Sequence, residues 1–142
     1  MNPTARAQRR VFRLTLASIP RNVGKIEKFL DKVRQHIMLD EIQHHKLMIS
    51  ITEAVNNAIV HGNKSNPARK VTVRCEAIAG GLVTVVKDAG RGFRPEKVDN
   101  PLKAENILKE SGRGIFLMRT LMDRVEFRRT PAGMEVELWL EL

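Results

Sequence analysis

The sequence predicts an α+β fold, a two-layer sandwich in which a mixed, largely antiparallel sheet has its helices packed on one face. Three observations lead there. Residues 11 to 17 and 134 to 140 alternate apolar and polar side chains, as half-buried strands do. Between the first strand and the next lie two stretches with apolar residues at helical spacing. The resulting order, βααββ, a long loop, then αββ, belongs to an antiparallel-rich sheet rather than to a parallel one.

Each element has a local reason. Val11-Phe-Arg-Leu-Thr-Leu-Ala alternates as a strand, and Pro20 and Asn22 break it and open a helix. Val23, Ile26, Leu30, Val33 and Ile37 share one face of that helix, which runs to about Met38. Asp40 is placed to N-cap a second helix reaching about His61, stopped by Gly62 and the turn-rich residues Asn63 to Pro67. Val71 to Ala77 alternates as a strand, Gly80-Gly81 makes a hairpin, and Leu82 to Lys87 returns as the partner strand. Residues 89–113 carry Gly90, Gly92, Pro95, Pro101 and Gly112 with little periodicity, and a loop that long reads as a lid over a site. Ile115 to Met122 is a short apolar helix, Arg124 to Arg128 a strand, and Thr130-Pro-Ala-Gly a turn. In the last strand Met134, Val136, Leu138 and Leu140 alternate with Glu135, Glu137, Trp139 and Glu141.

Composition bounds the function. The 142 residues suit a single domain at 11–142 behind a basic arm at 1–10. Hydrophobic residues at 42% and charged residues at 29% exclude a disordered or low-complexity chain. No uncharged run exceeds ten residues, too short to span a membrane. A single cysteine, Cys75, excludes an internal disulfide and fits a reducing cytoplasm. The net charge of +9 favours anionic partners without choosing among them. With five Phe, one Trp and no Tyr, and with no helix-turn-helix or zinc-finger spacing, direct nucleic acid binding is disfavoured.

The chemistry concentrates on the second helix. Glu53 and Asn57 lie one turn apart on one face, opposite the apolar Leu47, Met48, Ile51, Val55, Ala58 and Ile59. A solvated helical face would explain an arbitrary Glu and Asn. Here, however, Glu53 is the only charge between Leu47 and Ile59, and two adjacent Asn residues, Asn56 and Asn57, are poor helix formers in mid-helix. A local rule broken inside a consistent pattern points to function.

Two glycine boxes accompany them. Asp88-Ala-Gly-Arg-Gly-Phe puts an acid at a strand end before Gly90 and Gly92, and Ser111-Gly-Arg-Gly-Ile-Phe puts Gly112, Arg113 and Gly114 at the start of a helix. Bare N–H groups at a helix N-terminus suit phosphate. Neither box is a dinucleotide fingerprint, and no P-loop is present.

Together, Glu53-Ala-Val-Asn-Asn-Ala-Ile-Val-His-Gly, Asp88-Ala-Gly-Arg-Gly-Phe and Ser111-Gly-Arg-Gly-Ile-Phe-Leu-Met resemble the nucleotide-binding boxes of the GHKL ATPase superfamily, whose fold is the Bergerat or histidine-kinase-like ATPase fold. Within it the chain is most similar to the bacterial anti-sigma-factor serine/threonine protein kinases, over nearly its whole length. The resemblance implies ATP and Mg²⁺ as cofactors, with Asn57 ligating the metal and Asp88 accepting from the adenine amino group. It implies that Gly90 and Gly92 let the chain pass close to base and ribose. Gly112 and Gly114 would hold the phosphates, with Arg113 between them beside the nucleotide. Glu53 would be the catalytic carboxylate that orients or deprotonates the attacking serine. The implied partners are a sigma factor and a STAS-type anti-anti-sigma antagonist, in a transcription-regulating partner switch. Alternatives are a non-catalytic ATP-binding anti-sigma module and the catalytic domain of a histidine kinase. The chain departs from the family at Gly133-Met134, where Gly-Thr is frequent, so a thioether replaces a hydroxyl near Asp88. For the family's partner-contacting arginine of the first helix, Arg21 and Arg34 are the candidates.

Other features read more plainly. His44-His45 cannot chelate one metal from adjacent helical positions, His61 serves the helix end, and Cys75 is a buried thiol. Lys64, Arg91, Arg94 and Lys109 could touch phosphates or simply solvate the loop. Val83, Val85 and Trp139 are expected on the sheet face without helices, an uncovered apolar patch that would suit a homodimer.

Overall fold

The computed structural model describes residues 10–90 and 110–142, with backbone alone at 110 and 111. Strand β1 (Val11–Ala17) leads through a 3₁₀ turn (Pro20–Gly24) into helix α1 (Lys25–His36). Helix α2 (Glu41–Asn57) continues as a π-helical turn (Ala58–Gly62). Strands β2 (Lys70–Ile78) and β3 (Gly81–Lys87) form the hairpin, and helix α3 (Glu110–Leu121) precedes β4 (Arg124–Thr130) and β5 (Gly133–Glu141).

The five strands lie in the order β1-β2-β3-β5-β4, and every neighbouring pair is antiparallel. The parallel component of the expected mixed sheet is therefore absent among the described residues. Two features account for this: β5 lies between β3 and β4, which run parallel to each other, and two helices rather than one join β1 to β2. One crossover helix would return the chain parallel to β1, whereas α1 and α2 reverse it twice and deliver β2 antiparallel.

Local signals behave as the sequence predicts at most boundaries. Asp40 makes a full capping box: its Oδ1 accepts from the Gln43 N–H at 2.7 Å, and the Gln43 side chain accepts from the Asp40 N–H at 2.9 Å. Helix α1 buries Ile26, Phe29, Leu30 and Val33 against the sheet and stops at His36, leaving Met38 exposed. Along β5 the alternation is complete, with Met134, Val136, Leu138 and Leu140 all buried. Burying one such side chain is worth about 1.5–3 kcal/mol, so this stripe alone anchors the strand to the helical layer. Cys75 is fully buried, its Sγ 3.2 Å from Thr84 Oγ1, and burial pushes its thiol up to about 12. It is an inert core thiol, as expected.

The helix-free face departs from the expectation. Cross-strand register does bring Val83, Val85 and Trp139 there, but among charges: Arg74, Glu76, Lys87, Glu126, Arg128, Glu135 and Glu137. Lys87 pairs with Glu135 at 3.2 Å, Arg128 with Glu137 at 3.4 Å, and the Arg124 guanidinium lies 5.6 Å over the Trp139 ring. Val85 is only 5% exposed. The aliphatic stems of these long side chains roof the patch. Of the other apolar side chains on this face, Val83 and Trp139 are half-buried and Ile78, at the hairpin end, is exposed, so the apolar surface expected to support a dimer is interrupted by charge rather than continuous.

Candidate nucleotide site

Helix α2 presents Glu53 and Asn57 one turn apart, as their spacing requires. Depth separates them. Glu53 is half-buried, whereas Asn57 is 3% exposed, and neither its Oδ1 nor its Nδ2 has a hydrogen-bond partner. An unpaired buried amide costs about 1–3 kcal/mol. Such a group calls for a specific explanation, and a ligand that satisfies it from outside the chain is one.

Directly after Asn57 the helix widens into the π turn, a distortion frequent at functional sites. The turn carries Gly62 against Asp88, where a Cβ on Gly62 would stand 2.2 Å from Asp88 Oδ2. Gly133, at φ +149°, lies so close on the other side that a Cβ would stand 2.1 Å from the Asp88 carbonyl oxygen. Asp88 is thereby clasped between two backbones. Its Oδ1 accepts from the N–H groups of Gly90 at 3.0 Å and Met134 at 3.1 Å. Burial pushes its carboxyl above the ordinary value of 3.8, and those two N–H bonds pull against it.

A carboxyl raised by folding contributes stability that is full below the unfolded value and is lost as pH rises through the folded one. Asp88→Asn removes that dependence. The substituted protein should gain stability relative to wild type as pH rises upward from 3.8, read by urea titration at several pH values. Equal pH profiles for the two proteins would refute the burial argument.

Sequence reasoning missed Asn63, which it read only as a turn former. Asn63 is fully buried, and its Oδ1 accepts from the Ala89 N–H at 2.8 Å. Its Nδ2 donates to Ser18 Oγ at 2.8 Å and to the Lys70 carbonyl at 3.1 Å. One side chain thus ties the residue after Asp88 to the ends of β1 and β2. The only signal was an Asn immediately after the glycine that stops α2.

Asn57 and Asp88 face a common cavity with Ala54, Ala58, Val86, Met118, Phe127, Met134 and Val136. Its volume is about 10 Å³, room for a single water and not for a purine. Met118 and Met134 form part of its wall, and a thioether side chain is among the most adaptable a cavity wall can have. The donor set suits the implied cofactors: an orphaned amide oxygen beside a cleft is a ligand that Mg²⁺ can share with phosphates, and the apolar walls with one carboxylate suit an adenine.

The second glycine box is placed differently from the expectation. Helix α3 begins at Glu110, so Gly112 and Gly114 lie inside it rather than ahead of Ile115. Gly112 and Gly114 are the third and fifth residues of the described helix. Gly114 packs on the Glu53 carboxylate, where a Cβ would stand 2.6 Å from Oε2. Arg113 is exposed. Gly92, Arg91, Arg94, Lys109 and most of the expected lid lie outside the described residues. Of the two candidate partner arginines, Arg34 is held by Glu41 at 2.6 Å, and that bond keeps the Glu41 carboxyl below its usual range. Arg21 is exposed in the 3₁₀ turn. No helix among the described residues is long and apolar enough to cross a membrane.

Residues 16–140 match the profile of the histidine kinase-like ATPase domain. The chain belongs to that family. Among its relatives, the serine-protein kinase RsbW of Bacillus licheniformis is 31% identical over 121 residues, covering 81% of this chain and 67% of the relative. The anti-sigma F factor of Oceanobacillus iheyensis is 30% identical over 95 residues, covering 66% of this chain and 64% of the relative. The chain thus spans about two thirds of the length of these relatives. In structure it is similar to the RsbU and RsbW domains of a Mycobacterium tuberculosis protein, with a TM-score of 0.66 at 17% identity over 94% of this chain and 32% of that one. It is also similar to the histidine kinase domain of a blue-light-activated histidine kinase from Erythrobacter litoralis, with a TM-score of 0.61 at 17% identity over 87% of this chain and 60% of that one. These structural likenesses concern the fold, which is the histidine-kinase-like α+β fold that the sequence predicts.

Proposed function

We propose that this chain is an ATP-dependent serine kinase and anti-sigma factor, which holds a sigma factor inactive and phosphorylates a STAS-type anti-anti-sigma antagonist. The observation that carries the reading is Asn57, a buried amide with no partner, one turn from a carboxylate and facing the same cavity as Asp88. The names of the relatives, serine-protein kinase and anti-sigma F factor, point the same way.

When bound, ATP supplies the phosphoryl group and Mg²⁺ neutralises charge that develops on it. The chain's own groups do the rest. Asn57 holds the metal through Oδ1. Asp88 accepts a hydrogen bond from the adenine amino group, its orientation set by the N–H groups of Gly90 and Met134. Gly90 and Gly92 would let the backbone approach base and ribose, and Gly112 with Arg113 would hold the phosphates. Glu53, half-exposed, takes the proton from the hydroxyl of the partner serine. Phosphoryl transfer is largely positioning and charge stabilisation, which this small set supplies. We assign no homodimer to the charged sheet face.

The test is incubation with γ-labelled ATP, Mg²⁺ and small STAS-type proteins encoded near its gene. Label should appear on a serine of one of them. Sigma-factor capture with label on none would overturn the kinase reading and leave a binding module.

A further inference from the structure

The contact between Gly114 and Glu53 reaches beyond the role of a glycine in a phosphate loop. We propose that Gly114 is a positioning residue for Glu53: the bare backbone of α3 forms the wall against which the carboxylate rests. The inference rests on reading Glu53 as the group that meets the attacking hydroxyl. The two residues come from different elements, α2 and α3, which pack side by side. A Cβ built on Gly114 would stand 2.6 Å from Glu53 Oε2, 3.5 Å from its Cδ and 3.6 Å from its Cβ. The last two are ordinary contacts, so a methyl group fits the helix–helix seam everywhere except where the carboxylate sits. The clash is with the tip of a flexible side chain and not with backbone. Alanine at this position therefore displaces the carboxylate by roughly 1 Å and leaves the fold in place, and a displacement of that size can cost about 10²-fold in rate.

The helix itself sharpens the distinction. Glycine in a helix interior is less stable than alanine, so a merely architectural Gly114 would improve on substitution. Catalytic loss without loss of stability is the signature of a displaced group.

The experiment has two arms. The first uses the nucleotide-free protein and the ¹³Cδ carboxyl resonance of Glu53, assigned by its disappearance in Glu53→Gln. Gly114→Ala should move that resonance while the melting temperature stays equal or rises. An unmoved resonance overturns the contact. The second arm is a double-mutant cycle on phosphotransfer from γ-labelled ATP to the antagonist. Gly114→Ala should lower kcat about 10- to 100-fold with KM for ATP unchanged, yet lower it no further in the Glu53→Gln background. An equal loss in both backgrounds overturns the proposal, because Gly114 would then act on the nucleotide. Wild-type kcat in Gly114→Ala overturns it as well. Wild-type kcat in Glu53→Gln instead overturns the reading of Glu53, an outcome the resonance arm keeps separate from the contact. Shortening the carboxylate provides a rescue: Glu53→Asp should cost less in the Gly114→Ala protein than in wild type.

Discussion

Asn57→Ala should abolish tight Mg²⁺-dependent ATP binding while leaving the protein folded. In the ligand-free protein both amide atoms of Asn57 are buried and unpaired, so the side chain contributes no hydrogen bond whose loss would weaken the fold. Its unpaired state carries about 1–3 kcal/mol of unfavourable desolvation, which a metal taking the amide oxygen would relieve. Removing the amide removes that relief, and affinity should fall about tenfold to a hundredfold. Calorimetry with ATP in the presence and absence of Mg²⁺ reads the loss, and a thermal melt on the same sample reads the fold. Alanine leaves a small void but also removes an unpaired buried amide, and the two effects oppose each other, so the melt should change little. Undiminished Mg²⁺-dependent binding in the substituted protein would remove Asn57 from the metal site, and the orphaned amide would need another cause.

Glu53→Gln should do the opposite: keep nucleotide and lose chemistry. Glutamine matches glutamate in shape and still fits against Gly114, but it cannot accept a proton from a serine hydroxyl. General-base assistance contributes about 10²–10⁴-fold, and the phosphotransfer rate should fall within that range with KM for ATP near wild type. The contrast with Asn57 carries the weight. The two side chains are one turn apart on one helix, so a purely structural part for that face would make the two variants behave alike. A wild-type transfer rate in Glu53→Gln would mean that the transferred group is accepted without this carboxylate.

Much of this was legible along the chain because it depends on neighbours a few residues away. The Asp40 capping box, the apolar stripe of α1 and the alternation of β5 follow from periods of about 3.6 and 2 residues. The pairing of Glu53 with Asn57 on one face has the same origin, as does the recognition of three boxes in order. Helix ends were less legible. Helix α3 starts five residues before Ile115, since glycine is tolerated inside a helix wherever packing compensates its low propensity.

What the tertiary structure alone decided is which of these side chains lie deep and what they meet. Asn57 is buried and unpaired, and Glu53 is not deeply buried, although both belong to one helical face; the difference is made by α3 and by the wall of the cavity. Asn63 became a hub because Ala89, Ser18 and Lys70 converge on it from three segments. Val85 looked uncovered in the sequence and is buried, because register set charged side chains with long aliphatic stems around it. Periodicity is a property of adjacent residues, so the chain itself determined the elements and the faces they present. Burial and hydrogen bonding depend on atoms far apart in sequence, and only packing brings those together.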